Sequence, residues 1–173
     1  GLGGAGAAEQ VGDLRLVERP PGCERGEVGL LAVACLREAS ASLFAMGVSN
    51  DNSAVERYFD ELGEKEWDRL EIDLRSRVSL GMHHRFLRRW IAPETRVLEI
   101  GAGPGRYTIE LARMGRRVVL SDISSVQLEL NKRYVSDAGL SDRVACWRSL
   151  DVRDLSEIAT GSFDAVLAYG GPL

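Results

Sequence analysis

Residues 96–122, RVLEIGAGPGRYTIELARMGRRVVLSD, constrain the fold more tightly than any other part of the chain. A short apolar run (Val97, Leu98, Ile100) is followed by three glycines at alternate positions, Gly101, Gly103 and Gly105. A helical pattern then runs to Gly115, and a second apolar run (Val118, Val119, Leu120) ends at Asp122. The order is strand, glycine loop, helix, strand. Glu99 stands near the end of the first strand and Asp122 at the end of the second. In open α/β sheets ligands sit beyond the carboxyl ends of the strands, so the glycines and both carboxylates are expected to meet at one place.

Glycine lets the backbone turn sharply and lets a ligand approach without a Cβ in the way. The helix expected to start near Arg106 points its unpaired N–H groups at the same spot, which favours an anionic or electron-rich group. Asp122 offers two acceptor oxygens, which suits the two hydroxyls of a ribose. Glu99 offers a negative partner for a ligand amine. A ligand with a ribose and an amino group fits this set better than one with a pyrophosphate. The dinucleotide fingerprint needs G-x-G-x-x-G. Counted from Gly101, its third glycine falls on Arg106, and the chain reads E-x-G-x-G-x-G instead. A nicotinamide-dependent oxidoreductase is therefore the weaker reading. An ordinary tight strand-to-helix turn is the other alternative, and the flanking acids argue against it.

VLEIGAGPGRYT resembles motif I of the class I S-adenosylmethionine-dependent methyltransferases. LSDIS (residues 120–124) resembles motif II and RSLDVRDL (residues 148–155) motif III. FDAVLAYGGPL (residues 163–173) resembles motif IV and the loop after it. The four stand in the family's order and spacing, and the resemblance covers residues 54–173. It implies a Rossmann-like α/β fold with a parallel sheet in the order 3-2-1-4, and S-adenosyl-L-methionine as cofactor. It implies that Gly101, Gly103 and Gly105, with Ala102 among them, lie against the methionine part of that cofactor. Glu99 would sit near the amino group through water, and Asp122 would hold the ribose hydroxyls. Ile123 would pack on the adenine, Asp151 would accept from the adenine amino group, and Val152 would lie beside the ring. Tyr169 and Gly170 would line the site after the fourth strand, near the methyl group. The sulfonium is already activated, so such a protein mainly binds, aligns and excludes water, and no catalytic residue is assigned.

Length and charge narrow the partners. A chain of 173 residues is expected to hold one domain. A net charge of −4 argues against a duplex nucleic-acid binder, which usually presents a basic field. A small-molecule substrate is expected instead. Cys23, Cys35 and Cys146 form no C-x-x-C pair, so neither a disulfide framework nor a metal site is suggested. Reduced thiols of a cytoplasmic protein are the expectation. No apolar run reaches the roughly 18 residues a membrane helix needs, so no membrane partner is expected.

Residues 1–45 read as a poorly defined extension, rich in glycine and alanine at first and then turn-like, with one helix expected over residues 27–45. The stretch before Met46 is expected to be an extension, a processed remnant or translated upstream sequence. Residues 46–92 read as a helical cap and residues 93–173 as a partial methyltransferase-like domain. In the cap, Ser53 and Glu56 form a capping box for a helix ending at Gly63. A second helix is expected over residues 64–74 and a third over residues 82–91, ending before Pro93. Tyr58 and Trp67 either touch substrate or pack helices together, with packing favoured. His83 and His84 point about 100° apart on a helix, which precludes a compact metal pair, and both are expected at the surface or as caps. Arg85, Arg88 and Arg89 are expected to be solvated, and Arg106 to reach a carboxylate or solvent.

In the α/β part, strands are expected over residues 96–100, 117–121, 144–149 and 163–168. Helices are expected over residues 106–114 and from Ser124 to Ala138, with a weak helical turn at residues 155–159. Strands separated by helices imply a parallel sheet. The alternating pattern ends after the fourth strand, where the family continues with three more. A fragment is the expectation, with self-association or a partner chain at the strand-four edge as the alternative. A truncated, non-catalytic binding module is a further reading of the chain as it stands.

Overall fold

The two apolar runs of residues 96–122 become neighbouring parallel strands, and the rest of the sheet is added on either side of them. The computed structural model describes residues 52–169 and three short strand segments before them, β1 (Gln10–Val11), β2 (Leu14–Arg15) and β3 (Ala32–Ala34). Three helices follow, α1 (Asn52–Leu62), α2 (Lys65–Arg69) and α3 (Leu74–Trp90). The α/β part comprises β4 (Arg96–Ile100), α4 (Arg106–Arg113), β5 (Arg117–Asp122), α5 (Ser125–Asp137), β6 (Val144–Ser149) and β7 (Ala165–Ala168). The main sheet runs β3-β7-β4-β5-β6 and is parallel throughout. Its last four members, read from the other side, are the expected 3-2-1-4 arrangement.

Side chains alternate across a strand, and the two faces of β4 show it. Val97 joins a large cluster with Leu80, Leu87, Tyr107, Leu111, Val118, Leu120 and Leu167, which buries the inner faces of α3, α4 and α5. Leu98 and Ile100 point the other way and pack with Ala168, Val152, Leu155, Ile158 and Phe163. The second face is thus covered by the segment between β6 and β7 rather than by a helix. That segment makes turns, and the weak helical turn expected at residues 155–159 is reduced to a single one, Ile158 N–H to the Leu155 carbonyl at 2.8 Å. Leu120 is fully buried at the centre of the larger cluster. Leu120→Ala is expected to destabilise the protein by about 2–5 kcal/mol, measured by denaturant unfolding.

Three expectations are corrected. The helix α3 begins at Leu74, eight positions before the expected start, because the Asp73 carboxylate caps it by accepting from Ser76 N–H at 2.7 Å. The helix before it is correspondingly short and ends at Arg69 rather than at position 74. Within residues 27–45, where one helix was expected, Ala32–Ala34 is a strand paired in parallel with β7, Ala32 opposite Val166 and Ala34 opposite Ala168. The N–H and C=O groups along an open strand edge are satisfied by a further extended segment, and β3 supplies it. Strand four is therefore flanked on both sides, and the expected open edge at β7 is not found. Among the described residues no helix is long and apolar enough to cross a membrane.

Candidate functional site

The alternation that sends Val97 into the helix-covered face sends Glu99 there as well. Its carboxylate ends up inside, 2% exposed, where a leucine would ordinarily sit. Thr108, on the first turns of α4, donates its hydroxyl to Glu99 Oε2 at 2.7 Å. Burial raises the Glu99 carboxyl from its ordinary value to about 8; the Thr108 hydrogen bond opposes the rise and the charge of Asp122 adds to it. Burial thus favours the protonated form of this acid.

Asp122 closes β5 one strand away. Its Oδ2 accepts from Gly103 N–H at 2.7 Å and its Oδ1 from Ser124 N–H at 2.9 Å. Burial raises this carboxyl too, and those backbone N–H groups oppose the rise. Each oxygen still has acceptor capacity after one bond. The glycine loop is tied to the same strand by Ala102 N–H to the Ser121 carbonyl at 3.0 Å. Gly101, Gly103 and Gly105 all adopt positive φ, and Gly105, at +101°, is the N-cap of α4. At Gly103 no heavy atom lies within 4 Å of where a Cβ would stand, so the loop is open on that side. Two buried acids, an open glycine and a helix start therefore converge at the carboxyl ends of β4 and β5. This donor set fits a ligand with a cationic amine and a hydroxylated sugar.

The remaining sequence-derived residues are placed as follows. Ile123 is half-buried beside Asp122. The Asp122 carbonyl accepts from Leu150 N–H at 3.2 Å, which brings the start of the third motif next to the second. Asp151 itself is engaged by Arg153, through its N–H at 3.0 Å and its guanidinium at 3.0–3.2 Å. Val152 packs with Leu98 and Ile100. Tyr169 follows β7, and Gly170 lies outside the described residues.

Three residues, His83, His84 and Arg88, behave differently from expectation, whereas Arg106 reaches a carboxylate, one of its two expected fates. His83 is buried, not at the surface: it stacks on Tyr169 with ring centroids 4.6 Å apart, and its Nδ1 lies 2.8 Å from the Tyr107 hydroxyl. The helical spacing of Leu80, His83 and Leu87 carried that signal, because all three fall on one stripe. His84 is half-buried with Nδ1 3.9 Å from Glu110, and burial lowers its pKa more than that carboxylate raises it. Arg88 is not simply solvated, since its Nε donates to buried Glu110 at 2.6 Å. Arg106 lies 3.8 Å from the centroid of the Trp67 ring, donates twice to the Trp67 carbonyl and pairs with Glu71 at 2.9 Å. Trp67 in turn stacks against Tyr134 at 4.1 Å, which is the packing role expected of it, and Tyr58 lies edge-on to Phe59.

Comparison with known proteins bears directly on this arrangement. Residues 97–173 match the family described as a methyltransferase domain. A probable fatty acid methyltransferase of Mycobacterium tuberculosis is 40% identical over 80 residues, covering 46% of this chain and 18% of that protein. The magnesium-protoporphyrin O-methyltransferase of Rhodobacter capsulatus is 34% identical over 125 residues, covering 66% of this chain and 54% of that protein. The chain thus spans between about a fifth and about half of the curated relatives it matches. A crystal structure of a putative S-adenosylmethionine-dependent methyltransferase of Methanococcus maripaludis superposes with a TM-score of 0.54 at 25% identity, over 65% of this chain and 51% of that one. The magnesium protoporphyrin IX methyltransferase of Synechocystis, with a TM-score of 0.56 at 22% identity over 69% of this chain and 58% of that one, shares the fold. The parallel sheet, the motif order and the matched residues agree, and over residues 97–173 the chain is similar to the methyltransferase domain family and to S-adenosylmethionine-dependent methyltransferases of known structure.

Proposed function

We propose that this domain binds S-adenosylmethionine and that the protein it belongs to transfers the methyl group to a small molecule. The observation that carries the reading is the convergence of Glu99, Asp122 and the open Gly103 at the carboxyl ends of adjacent strands. The curated relatives support it, since one is named for a fatty acid and the other for a magnesium porphyrin, both small acceptors. When bound, the cofactor supplies a methyl group already activated on a sulfonium sulfur.

The work left to the chain is binding and alignment. Asp122 would accept from the ribose hydroxyls while Gly103 and Ser124 hold its carboxylate still. Glu99, once ionised, would offset the charge of the amino group. Asp151 and Val152 would border the adenine together with Ile123. Tyr169, held by His83 and Tyr107, would wall the strand-four side. The cap helices α1–α3 would shield this mouth from water. In support, α1 is docked on α5 by Gln127, whose amide donates to the Phe59 and Gly63 carbonyls at 2.8 and 3.1 Å.

The reading is tested by titration calorimetry with S-adenosylhomocysteine. Wild type is expected to bind, and Asp122→Ala to bind at least about tenfold more weakly, as the loss of a charge-assisted pair of hydrogen bonds implies. Equal affinity in the two proteins would remove Asp122 from the ribose role. Binding of NADH in place of the nucleoside, followed by fluorescence, would favour the oxidoreductase reading. Cofactor binding without transfer to any acceptor would fit a non-catalytic module.

A further inference from the structure

Behind the glycine loop lies a chain of buried polar side chains that the proposed binding roles do not use. Trp147, on β6, donates its indole Nε1–H to Asn131 Oδ1 at 3.1 Å. Asn131, on α5, donates from Nδ2 to the Gly103 carbonyl at 3.2 Å and to Thr108 Oγ1 at 3.0 Å. Thr108 donates onward to Glu99 Oε2 at 2.7 Å. Asn131 and Thr108 are fully buried.

The direction of every bond in this chain follows from its first member. An indole nitrogen can only donate, so the amide of Asn131 must turn its oxygen to Trp147. Its NH2 group then faces Gly103 and Thr108, and both of its hydrogens are used. Thr108 has accepted a hydrogen and is left to give its own to Glu99. The amide orientation, often ambiguous, is fixed here by chemistry. Asn131 also fills the space beside Gly105, where a Cβ would come within 2.9 Å of its Nδ2.

We propose that Asn131 is a positioning residue of the cofactor site: it holds the glycine loop by the Gly103 carbonyl and, through Thr108, aims a hydrogen bond at the carboxylate that receives the cofactor's amine. This rests on the methyltransferase reading given above. Its consequence is a coupling between loop shape and the ionisation of Glu99. A hydroxyl aimed at Glu99 favours the charged form, against burial and against the neighbouring charge of Asp122. Asp122 feels Glu66 in turn, so these are the acids that set the titration. Loss of Asn131 removes the loop anchor and lets the Thr108 hydroxyl turn away, which makes Glu99 harder to ionise.

The experiment is titration calorimetry with S-adenosylhomocysteine between pH 6 and 9 on wild type, Asn131→Leu, Thr108→Val and the double variant, with circular dichroism as a check of folding. In wild type, affinity is expected to rise with pH and level off. Asn131→Leu is expected to weaken binding about tenfold at pH 7.5, as expected for the loss of a buried hydrogen-bond partner, and to move the levelling-off to higher pH. Thr108→Val should move it in the same direction. In the double variant the loop defect should remain while no further shift in the pH profile is added. A residue that served only the fold would lower the melting temperature without moving that profile. Should Asn131→Leu fail to fold, Trp147→Phe frees the amide to flip and is expected to shift the profile the same way. A folded Asn131→Leu, or Trp147→Phe in its place, that binds within twofold of wild type on an unmoved profile overturns the proposal alone. Absence of binding by wild type overturns it together with the methyltransferase reading.

Discussion

Glu99→Gln is expected to stabilise the ligand-free protein at pH 8 while weakening cofactor binding. The folded protein holds this carboxyl near 8, far above the ordinary 4.5 of a glutamate. A group whose pKa is raised on folding contributes stability that is full below the unfolded value and is lost as pH rises through the folded one. The window is therefore pH 4.5 to about 8. Raising a carboxyl tenfold in proton affinity corresponds to about 1.4 kcal/mol, so wild type forgoes several kcal/mol across that window. Glutamine keeps an acceptor for Thr108 and carries no charge. Its melting temperature should match wild type near pH 5 and exceed it at pH 8, by about 2–4 °C per kcal/mol regained. Asp122 remains in both proteins, and because its charge repels that of Glu99, the substitution also relieves this repulsion where Glu99 would be ionised. Affinity for S-adenosylhomocysteine should fall about tenfold, as the proposed pairing of this carboxylate with the ligand amine requires. A difference in melting temperature that stays constant from pH 5 to 8 would show that Glu99 is not the group that titrates.

Gly105→Ala is expected to be far more damaging than Gly103→Ala, although both sit in the same loop at positive φ. At Gly103 the added methyl meets nothing within 4 Å, so the cost is the backbone conformation alone, about 1–2 kcal/mol. At Gly105 the methyl would stand 2.9 Å from Asn131 Nδ2 and 3.0 Å from its Cγ. Asn131 cannot swing aside cheaply, because it is fully buried and bonded to Gly103, Thr108 and Trp147. Displacing it leaves buried partners unsatisfied, and the total is expected to reach about 3–5 kcal/mol. Denaturant unfolding of the two variants side by side decides the matter; equal losses would mean that the Asn131 contact yields without cost.

What the sequence made legible was whatever local pattern encodes. The strand-loop-helix-strand unit and the Ser124 cap of α5 are short-range features, and the cap is seen directly in Gln127 N–H to Ser124 Oγ at 3.1 Å; the order of the four strands is not local and was implied by the family resemblance. The reciprocal half of that capping box is not formed, because Gln127 spends its side chain on α1. The convergence of Glu99 and Asp122 was legible too, since strand ends in a parallel sheet point the same way. The misses share a cause. His83 is drawn inside by Tyr169 and Tyr107, which come from distant parts of the chain. Asn131 reads as one more polar residue in a helix until β6 brings Trp147 to it. The β3 pairing with β7 joins residues that no local period relates. Two local signals went unread as well, the Asp73 helix cap and the stripe of Leu80, His83 and Leu87 on one helix face.

Arg106 stands where a dinucleotide loop would present bare backbone. Its guanidinium is clasped over an indole, bonded to a main-chain oxygen and neutralised by Glu71. A diphosphate arriving at this helix start would meet a spent cation and an obstructing side chain instead of a free electropositive rim. The same clasp fastens the segment around Trp67 to the first residue of α4, so a displacement of that cap segment would pull directly on the helix start that follows the glycine loop.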